Sequence, residues 1–393
     1  MRGIEEERKL SLVVDEHRQY LEDRVRIAAF RRAINQTVRA GDVVLDLGSG
    51  TGILGLLACE AGAQRVYSVD ESGMAQLGRD VAHANGFGGR ISGINGMSTR
   101  VSLPEAVDVV IADQIGRFGF DAGVLEYFAD AGRRFLKPLG RAVPARINLW
   151  VALVEHAAQW KKVDFWSHRP AGFAFDPARA IAENTGYPVH LKSHHLLSEP
   201  VDAVSLDTLT HGAKAIVFSE EFRVARAGML HGIGGWFSAQ LSPSVEMTNS
   251  PLAKRRIKRR NVFFPIARPV PVARNDRVNV AFSILPQNLI VTWKVEVHCA
   301  SGRKRGLEPV ARFTHSTLKG MLIGREDLAH TNPDSIPVMS KWGKARQTIL
   351  ELCDGKRTLR EIEDGVLLGH PDLFPTRSEA AVFAAEVITR YAQ

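Results

Sequence analysis

The chain has 393 residues, 45% hydrophobic and 24% charged, with a formal net charge of +8. That length supports two or three domains with cores of their own. No uninterrupted apolar stretch is long enough to span a bilayer, and the opening MRGIEEERKL lacks the apolar core of a secretion signal, so a soluble cytoplasmic protein without membrane contact is expected.

Residues 1 to 145 alternate helical and strand signals. LEDRVRIAAFRRAI (21–34) reads as one amphipathic helix, and DVVLDLG as a strand. A glycine turn and the helix ILGLLACEAG follow, then the strands QRVYSVD (64–70) and VDVVIAD (107–113). Strands separated by helices imply a doubly wound parallel sheet of the Rossmann-like kind.

In DLGSGTG, Gly48, Gly50 and Gly52 lie between a strand and a helix. Glycines there let the backbone approach a ligand closely above a helix N-terminus. Asp70 ends the next strand, where a carboxylate can take both hydroxyls of a ribose. A dinucleotide or S-adenosylmethionine would satisfy both features. Asp46 decides between them: a carboxylate so close would repel a pyrophosphate but favour an amino group and a sulfonium. S-adenosylmethionine is therefore the expected cofactor.

From 146 to 320 strict alternation appears, as in VNVAFSIL (278–285) and VTWKVEVH (291–298), with turn signals at ARND (273–276) and LPQN (285–288). An antiparallel β-barrel or sandwich is expected, with the barrel preferred. Much of the excess charge sits in KRRIKRR (254–260) and GRKRG (302–306). These runs read either as solvated loops or as attraction for an anionic partner. Few aromatics interleave with them, which speaks against nucleic acid. Cys59, Cys299 and Cys353 are odd in number and scattered, so neither a disulfide framework nor a metal site is expected. His194, His195, His315, Trp236 and Phe237 read as structural.

Residues 321 to 393 return to helical signals. KARQTILELC (344–353) stops at Asp354-Gly355. Thr358 and Glu361 have capping-box spacing, and Thr376 and Glu379 repeat it.

VVLDLGSGTGILGLLACEAGAQRVYSVDES resembles the protein arginine methyltransferases, and the likeness runs from about residue 13 to 318. HRQYLEDRVRIAAFRRAI is similar to that family's cofactor-covering helix, and GGWFSAQLSPSVEMTNSP to a segment of its barrel. The resemblance implies that Arg26 pairs with the cofactor carboxylate, within an N-terminal motif of His17, Asp23 and Arg26. It implies cofactor contacts from Gly48, Gly50, Gly52 and Asp70. It places Ser98 and Thr99, in GMSTRVSLP, on the adenine side, although Thr99 stands where the family has an acid. It also implies a homodimer built through an arm near FDPARAIAENTG (175–186).

IADQIGRFGFDAG (111–123) falls where the family has a loop with two glutamates that grip the substrate guanidinium. Aligned on Gly116, it puts Asp113 at the first position and Ala122 at the second. Asp121 reads as a helix N-cap. The family's threonine-histidine-tryptophan motif is absent; its place falls near Ile257 to Arg259, inside the basic run. A short single carboxylate among cations suits an acceptor carboxylate better than an arginine. Such an acceptor is nucleophilic at neutral pH and needs only alignment. The expected reaction is carboxylate O-methylation of a peptide or small protein, with Asp113, Arg117 and His17 at the acceptor side. Arginine N-methylation is the alternative, and a non-catalytic peptide- or nucleic-acid-binding scaffold the rival of another class.

ILELCDGKRTLREIEDGVLLGHPDLF resembles the PqqD-like peptide-binding domains, which have a winged helix-turn-helix shape and take a leader peptide as an added strand. The resemblance implies a ribosomally made peptide precursor as substrate, held so that its core is concentrated at the active site. SIPVM (335–339) is the candidate for the module's strand.

Overall fold

The run expected as one helix over 21–34 is shared by two. α1 (Leu12–Glu22) and α2 (Arg24–Thr37) meet at Asp23, whose side chain accepts a hydrogen bond from the Arg26 N–H and caps α2. The computed structural model describes residues 12–299, 309–322, 324 and 332–391. The opening MRGIEEERKL and the run GRKRG lie outside the described residues. The chain divides into two compact units, 1–321 and 322–393.

The first unit opens on an alternating series: β1 (Val43–Leu47), α3 (Ile53–Glu60), β2 (Arg65–Asp70), α4 (Met74–Ala84), β3 (Ile91–Asn95), β4 (Val107–Ala112), α5 (Val124–Arg134) and β5 (Leu136–Val143). The strands form one parallel sheet in the order β3-β2-β1-β4-β5. Every residue of β1 is buried, as expected for a parallel strand covered on both faces. Strand order reverses at β1, which pairs with β2 on one side and β4 on the other. The crevice beyond the carboxyl ends of β1 and β4 is where such sheets bind ligands.

An antiparallel region follows. It holds β6 (Arg146–Val154), α6 (Ala157–Asp164), α7 (Asp176–Ala182), β7 (Tyr187–Val189), β8 (Val201–Asp207), β9 (Ile216–Arg223), β10 (Gly228–Ser242) and β11 (Val245–Thr248). It continues through β12 (Asn261–Val272), β13 (Arg277–Leu285), β14 (Ile290–His298) and β15 (Ala311–Ser316). One sheet runs β7-β12-β10-β6-β8 with β11 on β10; the other runs β15-β14-β13-β9. The aromatic core joins them: Phe264 lies 5.2 Å from both Phe282 and Trp293, and Trp293 Nε1 donates to the Pro265 carbonyl at 2.8 Å. No ladder among the described residues connects the two sheets. Of the barrel or sandwich that was expected, the described residues show two antiparallel sheets, because alternation shows which face is buried but not which strands close a ring.

The antiparallel region also braces the parallel one. Ser242 and Ser244 both donate to Gln36 of α2, at 2.7 and 2.9 Å. Gly119, with φ +99°, lies against Leu149, Ile147 and Phe237, where a Cβ would collide. The loop after β4 is thereby pressed onto the second sheet.

The second unit contains α8 (Lys341–Leu352), α9 (Leu359–Gly369) and α10 (Arg377–Tyr391), packed around Ile349, Ile362, Val366, Phe374 and Phe383. Both arms of the Thr358–Glu361 capping box form. Residues 335–339 form no strand, and the unit has none among its described residues. Among the described residues the unit is three helices, with no strand beside SIPVM to give the expected wing.

Candidate active site

A cavity of about 780 Å³ opens at the crevice between β1 and β4. The glycine turn forms one wall, α1 and the start of α2 another, the loop after β4 a third, and residues 257–260 the fourth. Gly50 has φ +53°, and a Cβ there would collide with the His17 ring. His17, Asp23, Arg26, Gly48, Gly50, Asp113 and Arg117 all line this cavity. Asp46, Gly52, Asp70, Ser98 and Thr99 are absent from its wall.

Asp46 corrects the expectation made for it. It is fully buried; Oδ2 accepts the Gly55 N–H at 3.0 Å and Oδ1 has no partner. Burial pushes its carboxyl up to about 8, against the lowering by the Gly55 bond. The group is therefore a neutral acid at neutral pH, placed under the first turn of α3. Asp70 sits at the end of β2, where its carboxylate accepts the Gly50 N–H at 2.8 Å, the Ser72 N–H at 3.0 Å and the Ser72 hydroxyl at 2.6 Å. It fixes the shape of the glycine turn. Gly52 caps α3 in the left-handed conformation. Ser98 and Thr99 lie in a turn beyond β3, where the Ser98 carbonyl takes Arg134 Nη1 at 3.1 Å.

The electrostatic centre is Asp113, whose side chain is 6% exposed. Arg26 donates Nε to its Oδ2. Arg259 forks the same carboxylate, Nη1 to Oδ1 at 3.4 Å and Nη2 to Oδ2 at 3.1 Å. Tyr20 stacks near both cations, with Arg26 at 4.9 Å and Arg259 at 5.9 Å from its ring. Burial disfavours the Arg259 charge, but Asp113 and Tyr20 outweigh it and hold its pKa above the usual arginine value.

Sequence reasoning offered some of the 254–260 run, with Arg117, to an acceptor carboxylate, but missed Tyr20 and the pairing of Arg259 with Asp113. The signal for Arg259 was its position, in the stretch aligned with the absent barrel motif. The basic run is only partly a solvated face: Lys254, Arg255, Lys258 and Arg260 are exposed, while other parts of it turn inward. Ile257 is buried, the Lys258 N–H donates to Asp23 Oδ2 at 2.7 Å, and Arg256 Nη1 donates to the Leu191 carbonyl at 3.0 Å. Asp23 thus spends one oxygen on the α2 cap and the other on this run.

Asp121 is not the N-cap of α5; that position is Gly123. Its Oδ1 accepts the N–H groups of Arg117 and Phe118 at 2.7 and 2.8 Å and closes the loop on itself. Arg117 is exposed, and its carbonyl takes Asn249 Nδ2 at 2.9 Å. Burial pushes the His17 pKa below its ordinary value, partly opposed by Asp70 and Glu16.

The residues present fit S-adenosylmethionine. A left-handed glycine turn opens its backbone to the cavity at the start of α3, Asp70 stands at the end of β2, and Arg26 supplies a buried cation on the neighbouring wall. Among the described residues, no group of three or more metal-ligating side chains comes together.

Comparisons with known proteins agree with this arrangement. Residues 145–296 match the arginine methyltransferase oligomerization subdomain, and residues 31–144 match ribosomal protein L11 methyltransferase. The chain is 31% identical over 252 residues to Xenopus tropicalis protein arginine N-methyltransferase 6, covering 61% of this chain and 74% of that protein. It is 30% identical over 232 residues to Dictyostelium discoideum protein arginine N-methyltransferase 1, covering 58% and 68%. It spans a smaller share, 39%, of the Culex quinquefasciatus histone-arginine methyltransferase CARMER. In fold it is similar to Arabidopsis thaliana protein arginine methyltransferase 10, with a TM-score of 0.66 at 24% identity, covering 77% of this chain and 97% of that one. It is also similar to the Trypanosoma brucei PRMT1 enzyme–prozyme complex with AdoHcy, at 0.67 and 20%, covering 76% and 96%.

These relatives overturn the expected carboxylate acceptor, since they are named for arginine N-methylation. The geometry agrees with the correction. Arg259, the cation of the basic run nearest the acceptor acid, is already spent on Asp113, and Arg117 is exposed at the cavity rim. The chain is an S-adenosylmethionine-dependent methyltransferase, and it belongs to the protein arginine methyltransferase family.

Proposed function

We propose that the chain methylates a guanidinium nitrogen of arginine in a protein or peptide. The observation that carries this reading is Asp113: a buried carboxylate lining the same cavity as the glycine turn, already bonded to guanidinium groups. The names of the relatives support it.

S-adenosylmethionine supplies an electrophilic methyl group when bound. Around it, the Gly48–Gly52 turn would let the cofactor approach the backbone closely, Arg26 would hold the methionine end, Asp70 the ribose hydroxyls, and the Ser98–Thr99 turn the adenine side. Asp113 would keep positive charge on two acceptor nitrogens and leave the third free to attack in line. His17 is kept neutral at pH 7 by its lowered pKa and shares the cavity wall. It would receive the proton that the methylated guanidinium gives up.

Three working segments support this chemistry: a cofactor domain over 1–145, a sheet domain over 146–320 and a terminal module over 321–393. The chain would act as a homodimer, a reading supported by the match of residues 145–296 to an oligomerization subdomain. Phe165 and Phe173, 50% and 69% exposed between α6 and α7, are apolar groups that a second copy would cover. The terminal module is assigned to peptide reading, on the likeness of residues 349–374 to PqqD-like domains and on the exposed Ile336, Val338 and Leu368. A cytoplasmic setting fits these roles.

The test is a panel of short peptides incubated with the full chain and methyl-labelled cofactor. Alkali-stable label on arginine is expected. Alkali-labile label, or label on residues other than arginine, would sink the reading.

A further inference from the structure

An arginine acceptor needs a carboxylate that is still free to bind it. Four carboxylates line the cavity, and three are unsuited. Glu22 is exposed, on α1. Asp23 spends both oxygens on the N–H groups of Arg26 and Lys258. Asp121 is tied to its own loop by two N–H bonds. Asp113 remains, buried and facing the cavity.

Asp113 is occupied by the chain itself. Arg259 lays two nitrogens on its two oxygens, and Nη1 also reaches the Gly116 carbonyl at 3.3 Å. A bound arginine would make that same pattern, a planar fork on a carboxylate with a carbonyl beside it. Arg26 already neutralises Asp113 independently, so a third guanidinium cannot join without a cation leaving.

Arg259 is the cation free to leave. Arg26 is fixed in α2, with Nη1 on the Tyr20 carbonyl at 3.1 Å. Arg259 belongs to residues 249–260, which form no helix or strand. It also lines a second cavity of about 390 Å³, with His190, Asn249 and Asn261, which offers space for a swung-out side chain.

We infer that Arg259 is a built-in guanidinium standing in the acceptor position, so that a substrate arginine reaches Asp113 only by displacing it. The inference rests on the arginine-acceptor reading. It makes Arg259 a specificity-determining residue. A substrate able to fork Asp113 as Arg259 does can exchange with it, whereas a lysine, with a point charge and no fork, competes poorly. If the slot is open about a tenth of the time, apparent affinity for the acceptor falls about tenfold.

The experiment measures binding and turnover with the full chain and a short peptide carrying one central arginine, with its lysine counterpart as control. Arg259→Ala should tighten binding of the arginine peptide by roughly tenfold and raise kcat/KM alike, with cofactor affinity unchanged. Arg259→Met keeps the stem without the charge and should act in the same direction if the alanine variant folds poorly. A folded variant with unchanged or weaker arginine-peptide binding would overturn the inference, and Arg259 would then be a fixed ion pair. If wild type methylates arginine in that case, the proposed function stands and only the inference falls. Should neither form bind or methylate the arginine peptide, both fall together.

Discussion

Asp46→Asn tests the placement of the most deeply buried acid near the site. In the folded chain its carboxyl is pushed up from 3.8 to about 8, chiefly by burial. The unfolded chain ionises at the ordinary value. Between those two values the folded state holds a proton that the unfolded state has lost, so the contribution of Asp46 to stability is full below about pH 4 and declines as pH rises toward 8. Each pH unit in that window costs about 1.4 kcal/mol. By pH 7 the loss is about 4 kcal/mol, an upper figure because relaxation and water entry reduce it. Asparagine cannot ionise, yet its oxygen can still accept the Gly55 N–H. The variant's stability relative to wild type should therefore rise by about 3 kcal/mol from pH 5 to pH 7.

Urea unfolding of both proteins at pH 5, 6 and 7 gives this difference directly, and every other titrating group cancels between them. A difference that stays flat with pH would refute a neutral buried Asp46. The same samples decide its role. If Asp46 is structural, cofactor affinity changes little. A loss of tenfold or more with no pH slope would return a charged Asp46 to the pocket.

Three further outcomes are expected. Gly50→Ala forces a side chain into left-handed backbone and onto the His17 ring, so it should cost about 1–2 kcal/mol and weaken cofactor binding by calorimetry; unchanged affinity would remove the turn from the cofactor site. His315 is 3% exposed, stacked 5.3 Å from Trp293, with neither ring nitrogen hydrogen-bonded, and burial pushes it down to about 4. Its stabilising neutral form is present above about pH 6.5 and is lost as pH falls toward 4, so His315→Phe should lower the Tm drop between pH 7.5 and pH 5; equal drops would show that His315 does not titrate with unfolding. Deleting residues 322–393, a compact unit with its own core, should weaken peptide binding and leave cofactor affinity alone; equal peptide binding would remove the reader role.

What could be read in the sequence was what local physics dictates. β1 reads as a strand because its five residues are all buried, and the glycine turn stands out because only glycine takes its backbone without strain. The Thr358–Glu361 box is legible because both partners lie within one turn. Asp46 could have been placed by the same means. Leu47 separates it from Gly48, and alternation along β1 sends the Asp46 side chain to the α3 face. Asp121 was harder: it points into its own loop because Gly116, Gly119 and Gly123 all take positive φ, and spacing alone does not show that.

Arg259 lay beyond sequence reasoning for a different reason. It is 146 residues from Asp113, and a basic run has the same letters whether its charges meet water or a buried carboxylate. Net charge is a sum, and a sum carries no partners. Once Ile257 is buried and the Lys258 N–H is fixed on Asp23, however, the backbone of the run is pinned at the cavity rim. The next side chain must then go into the cavity or back to solvent. Asp113 makes the inward course favourable, since leaving that carboxylate with one partner fewer would strand part of a buried charge. On the proposed arginine-acceptor reading, the arginine at 259 and the aspartate at 113 then act as one feature. The acid that a substrate must reach is the acid that holds Arg259.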